Sequence, residues 1–152
     1  MNEKMRVNLA ELLPIIEEQL RDGKEVCFSP NGVSMLPMLK AGRDSVFLSS
    51  PPDKLKKYDL PLYRRENGQF VLHRVVGKKR DGTYIMCGDN QNSRESGIKH
   101  SQIVGVVTSF VRRDRRISCR NPIYKMYCIA RVAEQHAVNI AGRVKRRMLK
   151  NR

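Results

Sequence analysis

Ser34, His73 and the turn Gly88-Asp89-Asn90 are the residues whose types suit covalent chemistry together. A serine hydroxyl is a weak nucleophile until a neighbouring base takes its proton. A neutral imidazole titrates near physiological pH and suits that task. A carboxylate on the far ring nitrogen would hold the imidazole in one tautomer. Ser34 lies within Pro30-Asn31-Gly32-Val33-Ser34-Met35-Leu36-Pro37-Met38-Leu39. Gly32 permits a sharp turn before the serine. Pro37 fixes its own φ and biases Leu36 toward extended backbone. The expected result is a rigid hydroxyl flanked by apolar side chains, with Met35, Leu36 and Pro37 as the nearest substrate contacts. His73 falls among valines, where an idle imidazole is costly to bury. Taken alone, the Ser34 stretch also suits an ordinary loop between apolar strands, and His73 also suits a structural histidine bonded to a backbone carbonyl.

The elements that must hold these groups are short strands. Residues 25–29, 45–49, 60–65, 69–77, 83–87 and 102–111 read as strands from their apolar and β-branched runs. Glu66-Asn67-Gly68 between two of them is a strong hairpin signal. Within 69–77, Val71, His73 and Val75 share one face, with Phe70, Leu72, Arg74 and Val76 on the other. Many short strands with regular turns predict a mainly β, antiparallel, barrel-like domain.

Helices are expected at both ends. Residues 8–22 predict one ending at Gly23, with Asn8 and Glu11 at capping-box spacing. Leu9, Leu12, Leu13, Ile16 and Leu20 form its apolar stripe, and Pro14 predicts a kink or a later start. Residues 112–120 read as a basic connector, and Pro122 opens a helix to about residue 150. Ile123, Met126, Tyr127, Ala130, Ala133, Ala137, Ile140, Ala141, Val144 and Met148 line one side of it. The expected organisation is a β core over 25–111 within 1–111, followed by 112–152 as connector and amphipathic helix.

The motifs in register resemble a known superfamily. Gly32-Val33-Ser34-Met35-Leu36-Pro37 resembles the Ser-Met-x-Pro box of type I signal peptidases, and also the Gly-x-Ser-Met box of the self-cleaving SOS and phage repressors. The stretch from Tyr58 to Arg65, then His73-Arg74-Val75-Val76-Gly77, resembles the next two boxes, and Gly88-Asp89-Asn90 the last. The resemblance implies a serine endopeptidase on a barrel-like β fold, without cofactor or metal, with Ser34 as nucleophile. Bacterial signal peptidases and the repressors use a Lys base. His73 stands where that Lys would align, as in the endoplasmic-reticulum and archaeal type, and Lys78 and Lys79 do not replace it. In the Ser/His type a second acid follows the Gly-Asp-Asn turn closely, here Glu95. Asp89 is the favoured orienting carboxylate, with Glu95 as the alternative. The family's oxyanion hole uses the nucleophile's own N–H and often a hydroxyl two residues earlier. Gly32 lacks that hydroxyl, so Asn31 or Ser29 is expected to assist. Loss of one such donor costs ~10²–10³ in rate.

Charge and composition set the remaining expectations. The 152 residues suit a single domain. No window reaches the roughly 18 apolar residues of a membrane span, and the opening residues do not resemble a signal peptide. The expected location is the cytoplasm, with peripheral membrane contact as an addition. Cys27, Cys87, Cys119 and Cys128 lack metal-ligand or disulfide spacing and read as reduced, mostly buried thiols. The net charge is +15, and residues 112–152 hold 13 of the 30 Lys and Arg but only 2 of the 15 acids. That tail suits an anionic partner. Its amphipathic helix over 122–150 suits an anionic membrane surface. Nucleic acid is not favoured, since no helix-turn-helix pattern precedes the Ser34 box. The alternatives to a peptidase are a catalytically weak module of the same fold that binds peptides or a partner, and nucleic-acid binding through the tail. A peptide or protein substrate is implied, and the oligomeric state is open.

Overall fold

The computed structural model describes residues 9–151, so the expected cap at Asn8 lies outside the described residues. The elements in chain order are α1 (Leu9–Arg21), β1 (Val26–Phe28), β2 (Ser45–Ser49), β3 (Pro61–Arg64), β4 (Phe70–Leu72), β5 (Arg74–Lys78), β6 (Tyr84–Cys87), β7 (Glu95–Ile98), β8 (Ile103–Arg112), β9 (Arg115–Ser118) and α2 (Pro122–Lys150). The strands form two antiparallel sheets. The larger runs β1-β2-β8-β3-β4, with β9 also on β8, and the smaller runs β5-β6-β7. The pairings leave β1 and β4 as edges, so no closed barrel forms among the described residues.

Strand burial follows the apolar pattern. Val46 and Leu48 of β2 are fully buried, and Leu62 and Tyr63 of β3 are buried on opposite faces. One face of the larger sheet carries α1 and the Ser34 loop: Ile16, Leu20, Met35, Met38 and Leu39 pack with Leu48, Leu62 and Phe110. The other face meets the smaller sheet, where Tyr63, Val71 and Val106 pack with Val75, Tyr84 and Met86. α1 carries Pro14 inside it rather than starting after it. The β3–β4 hairpin turns through Asn67, whose side chain accepts from the Gln69 N–H at 3.0 Å.

The expected strand 69–77 is broken at one residue. Phe70–Leu72 pairs with β3 in the larger sheet, and Arg74–Lys78 pairs with β6 in the smaller one. His73 is the hinge between them. The backbone of 58–60 closes the same seam: Tyr58 N–H donates to Val75 C=O at 2.8 Å, and Val107 N–H donates to Leu60 C=O at 3.0 Å.

β9 forms inside the expected connector and pairs with β8. Asn121 caps the start of α2, its side chain accepting from the Ile123 and Tyr124 N–H groups. The helix then docks on the domain through Tyr124, Cys128, Val132 and Gln135. That docked face is not the predicted apolar stripe: Ile123, Met126, Ile140, Val144 and Met148 all stay exposed. All four cysteines are free thiols; Cys87 and Cys128 are buried, and Cys27 is exposed.

Candidate active site

Ser34 is held by its neighbours. Met35, Met38 and Leu39 bury against the core, and Ser34 is left half-buried at the rim of a cleft. Gly32 turns the chain before it with φ +86°, a conformation that L side chains rarely adopt. The Ser34 C=O accepts from Asn90 N–H at 2.8 Å, so the nucleophile-type loop and the Gly88-Asp89-Asn90 turn are stitched together. Gly88 makes the approach possible. A Cβ on it would stand 2.7 Å from Ser34 O and 3.1 Å from His73 Nε2.

His73 is 5% exposed. Its Nε2 faces Gly88 and the Ser34 loop, and its Nδ1 lies 3.4 Å from the Tyr63 hydroxyl. That hydroxyl donates to Glu95 Oε2 at 2.9 Å. A phenol has one proton, so towards His73 the Tyr63 oxygen can only accept. The chain of donors is therefore His73 Nδ1–H to Tyr63 to Glu95. It places the ring proton on Nδ1 and leaves the Nε2 lone pair toward the cleft. Arg65 anchors the far end, its Nη2 donating to Glu95 Oε2 at 2.8 Å. The Arg65 hydrogen bond holds the Glu95 carboxyl below its ordinary pKa. Burial, then the positive charge of Arg65, lowers the His73 pKa below 6.5. The imidazole is thus neutral at pH 7, the form a general base requires.

The Asp89 carboxylate makes no hydrogen bond to His73. Arg74 donates to both of its carboxylate oxygens at 2.8 Å, and Tyr127 donates to Oδ2 at 2.9 Å. Both members of the pair are buried, Arg74 at 0% and Asp89 at 1% exposure. Arg74 also donates to Tyr58 C=O and to the Tyr124 hydroxyl. Buried charges persist only when paired and hydrogen-bonded, and these are. The carboxylate of Asp89 is taken up by Arg74 and Tyr127, and the carboxylate that reaches the His73 ring is Glu95, through the Tyr63 hydroxyl.

The turn is braced from behind by α2. Gln135 Nε2 donates to Gly88 C=O at 2.8 Å and to Gln91 C=O at 2.7 Å. Asn139 donates to Asn92 C=O, and Arg131 to Asp89 C=O. These polar contacts explain why the docked face of α2 is not its most apolar one.

The cleft in front of Ser34 and His73 has a volume of about 270 Å³. Asn31, Gly32, Met35 and Gln91 line it, together with the β4 residues Phe70 to Leu72. β4 is a sheet edge, so unpaired backbone groups face the same space. Of the expected substrate contacts only Met35 lines the cleft; Leu36 and Pro37 do not, and Pro37 is exposed. Ser29 also lies outside it, its hydroxyl 3.0 Å from Ser45 Oγ.

No family model matches this chain, and neither the curated proteins nor the solved structures contain a match. The functional reading therefore rests on the site itself. Ser34 Oγ and the Ser34 N–H make no hydrogen bond among the described residues, to His73 or to any other. Among the described residues, no cluster of His, Cys, Asp and Glu could hold a metal ion. Tyr63, Arg65 and Gln91 are site residues that the motifs did not single out. Tyr63 and Arg65 lie inside the second box, where alternate strand positions send both toward His73.

Proposed function

We propose that this chain is a serine endopeptidase of the signal peptidase and repressor type, on a barrel-like version of that β fold. Ser34 is the nucleophile and His73 the general base. The carrying observation is convergence: the Ser34 backbone carbonyl and His73 Nε2 both close on the space that a Cβ on Gly88 would fill, at 2.7 and 3.1 Å from it. An extended peptide would pair with the free edge of β4, as strand addition does elsewhere. Its scissile carbonyl would then lie over Ser34.

His73 Nε2 takes the Ser34 proton as Oγ attacks the carbonyl carbon. The oxyanion accepts from the Ser34 N–H, with the Asn31 side-chain amide, which lines the same cleft, in place of the hydroxyl that Gly32 lacks. His73 then gives the proton to the departing amine, leaving an acyl-Ser34 ester. Water, deprotonated by the same nitrogen, hydrolyses that ester and restores the serine. Tyr63 and Glu95 hold the ring tautomer and stabilise the imidazolium.

The unmade Ser34–His73 hydrogen bond favours one rival, a peptide-binding module of this fold without turnover. Catalytic hydrogen bonds are often long in empty sites, so the geometry is compatible with both. A fluorophosphonate probe separates them. Labelling of wild type that disappears in both Ser34→Ala and His73→Ala is expected. No labelling of wild type, or equal labelling of the Ser34→Ala protein, overturns the peptidase reading.

A further inference from the structure

We propose that the outward face of α2 is a docking surface for an anionic lipid bilayer. The docked face of the helix runs through Tyr124, Cys128, Val132 and Gln135. At 3.6 residues per turn, Met126, Ala130, Ala133, Ala137, Ile140 and Val144 lie on the opposite side. All six are exposed. Met126 is 69% and Ile140 58% exposed, and Met148 extends the row at 68%. No polar residue interrupts this stripe over about six turns. An apolar strip of that length on a folded domain marks a surface that is covered in use.

Charge selects the occupant. Arg143, Lys145 and Arg147 flank the distal half of the stripe, against the single acid Glu134 on the helix. A second copy of the helix would bring like charges together, whereas anionic headgroups would neutralise them. A groove of about 670 Å³ beside the helix adds Lys54, Lys56, Lys57, Arg120 and Lys125 around an apolar floor that includes Ile129. Its one acid, Asp59, is half-buried at the end of the seam. Basic residues flanking an apolar stripe are the composition of helices that lie in the membrane interface. No described helix is long and apolar enough to cross a membrane. The bilayer would meet the face of α2 turned away from Gly88, leaving the cleft one helix diameter, about 10 Å, above the surface.

The test uses the full chain and vesicles of phosphatidylglycerol mixed with phosphatidylcholine, against pure phosphatidylcholine. Sedimentation with the anionic vesicles alone is expected, weakening as salt rises. The double variant Ile140→Glu/Val144→Glu should bind at least about tenfold more weakly, with an unchanged melting temperature. The Ser34→Ala variant should bind as wild type does, so this surface stands or falls apart from the peptidase reading. Equal recovery with and without anionic vesicles overturns the proposal. So does a dimer in sedimentation velocity that Ile140→Glu dissolves, which would give the stripe to a second copy. Duplex DNA binding that survives the double variant, with no vesicle binding, would give the basic flanks to nucleic acid.

Discussion

The Tyr63 hydroxyl stands 3.4 Å from His73 Nδ1 and gives its only proton to Glu95. Tyr63→Phe keeps the ring and removes the oxygen through which His73 reaches the carboxylate. kcat should fall by about 10²-fold, the lower end of what a general base contributes. Glu95→Gln should fall similarly with little change in melting, because the Arg65–Glu95 pair is partly exposed and such pairs contribute about 0–1 kcal/mol. Nitrogen chemical shifts of the His73 ring report the tautomer. Unchanged kcat in both variants would remove the relay from the mechanism.

Asp89→Asn should behave in the opposite way. It leaves the fully buried Arg74 without its countercharge, and breaking a buried pair costs about 3–5 kcal/mol. The melting temperature should drop sharply, while the protein that remains folded at low temperature keeps most of its kcat. A large kcat loss at unchanged melting temperature would return the orienting role to Asp89.

Burial and Arg65 hold the His73 pKa below 6.5. The acid limb of kcat/KM should therefore lie below pH 6.5, not at it. Arg65→Gln removes one of the two causes and should move that limb upward. The stability sign follows by linkage. Below about pH 6.5 the unfolded chain takes up a proton that native His73 refuses, so stability falls as pH drops through that range. Above it neither state is protonated there, and His73 contributes no slope. A wild-type limb at or above pH 6.5 would contradict the burial of a neutral imidazole.

Gly88→Ala tests convergence directly. The new methyl would have to displace the Ser34 carbonyl or the His73 ring, an overpacking cost of about 1–3 kcal/mol. Activity should be lost even where the protein still folds. Gly142→Ala is the control, since nothing lies within 4 Å of its added Cβ. It should leave activity intact and hold or slightly raise the melting temperature. Full activity in Gly88→Ala would mean that the two groups do not work across that position.

Cutting the chain after Arg120 removes Tyr124 and Tyr127 from Arg74, and Gln135 from the Gly88 turn. The domain should then melt well below wild type and lose the site. Cutting after Gly142 removes none of the side chains that hydrogen-bond the turn, since Asn139 is the last of them. That shorter chain should keep its activity and melting temperature, and lose vesicle binding. Wild-type melting after the cut at Arg120 would show the helix to be dispensable.

Much of this arrangement was legible in residue order, and the failures share a cause. Alternation is visible in β2, whose burial follows it, and continuous apolar runs located β3, β6 and β8, which are buried along most of their length. Ser34, His73 and the Gly88 turn were legible because local chemistry marks them. β7 and β9 were missed: Glu95–Ile98 and Arg115–Ser118 are edge strands, polar and largely exposed, with no apolar period to read. The Arg74–Asp89 pair and the Tyr63–Glu95 link join residues 15 and 32 positions apart. No local pattern encodes such a meeting. In α2 the apolar period was real, but it did not reveal which side docks on the domain. The docked side satisfies backbone carbonyls, and the residues that do so are Gln135, Asn139 and Arg131.

The brace from Gln135 comes from 47 positions beyond the Gly88 carbonyl it holds. A ribosome adding about 5–20 residues per second needs roughly 2–10 s to cover that distance. Ser34, His73 and their turn are thus synthesised seconds before the amide that locks the turn exists. A nascent chain paused short of residue 122 carries every group of the cleft and none of its brace. Time of manufacture, and not only shape, separates the finished site from its parts.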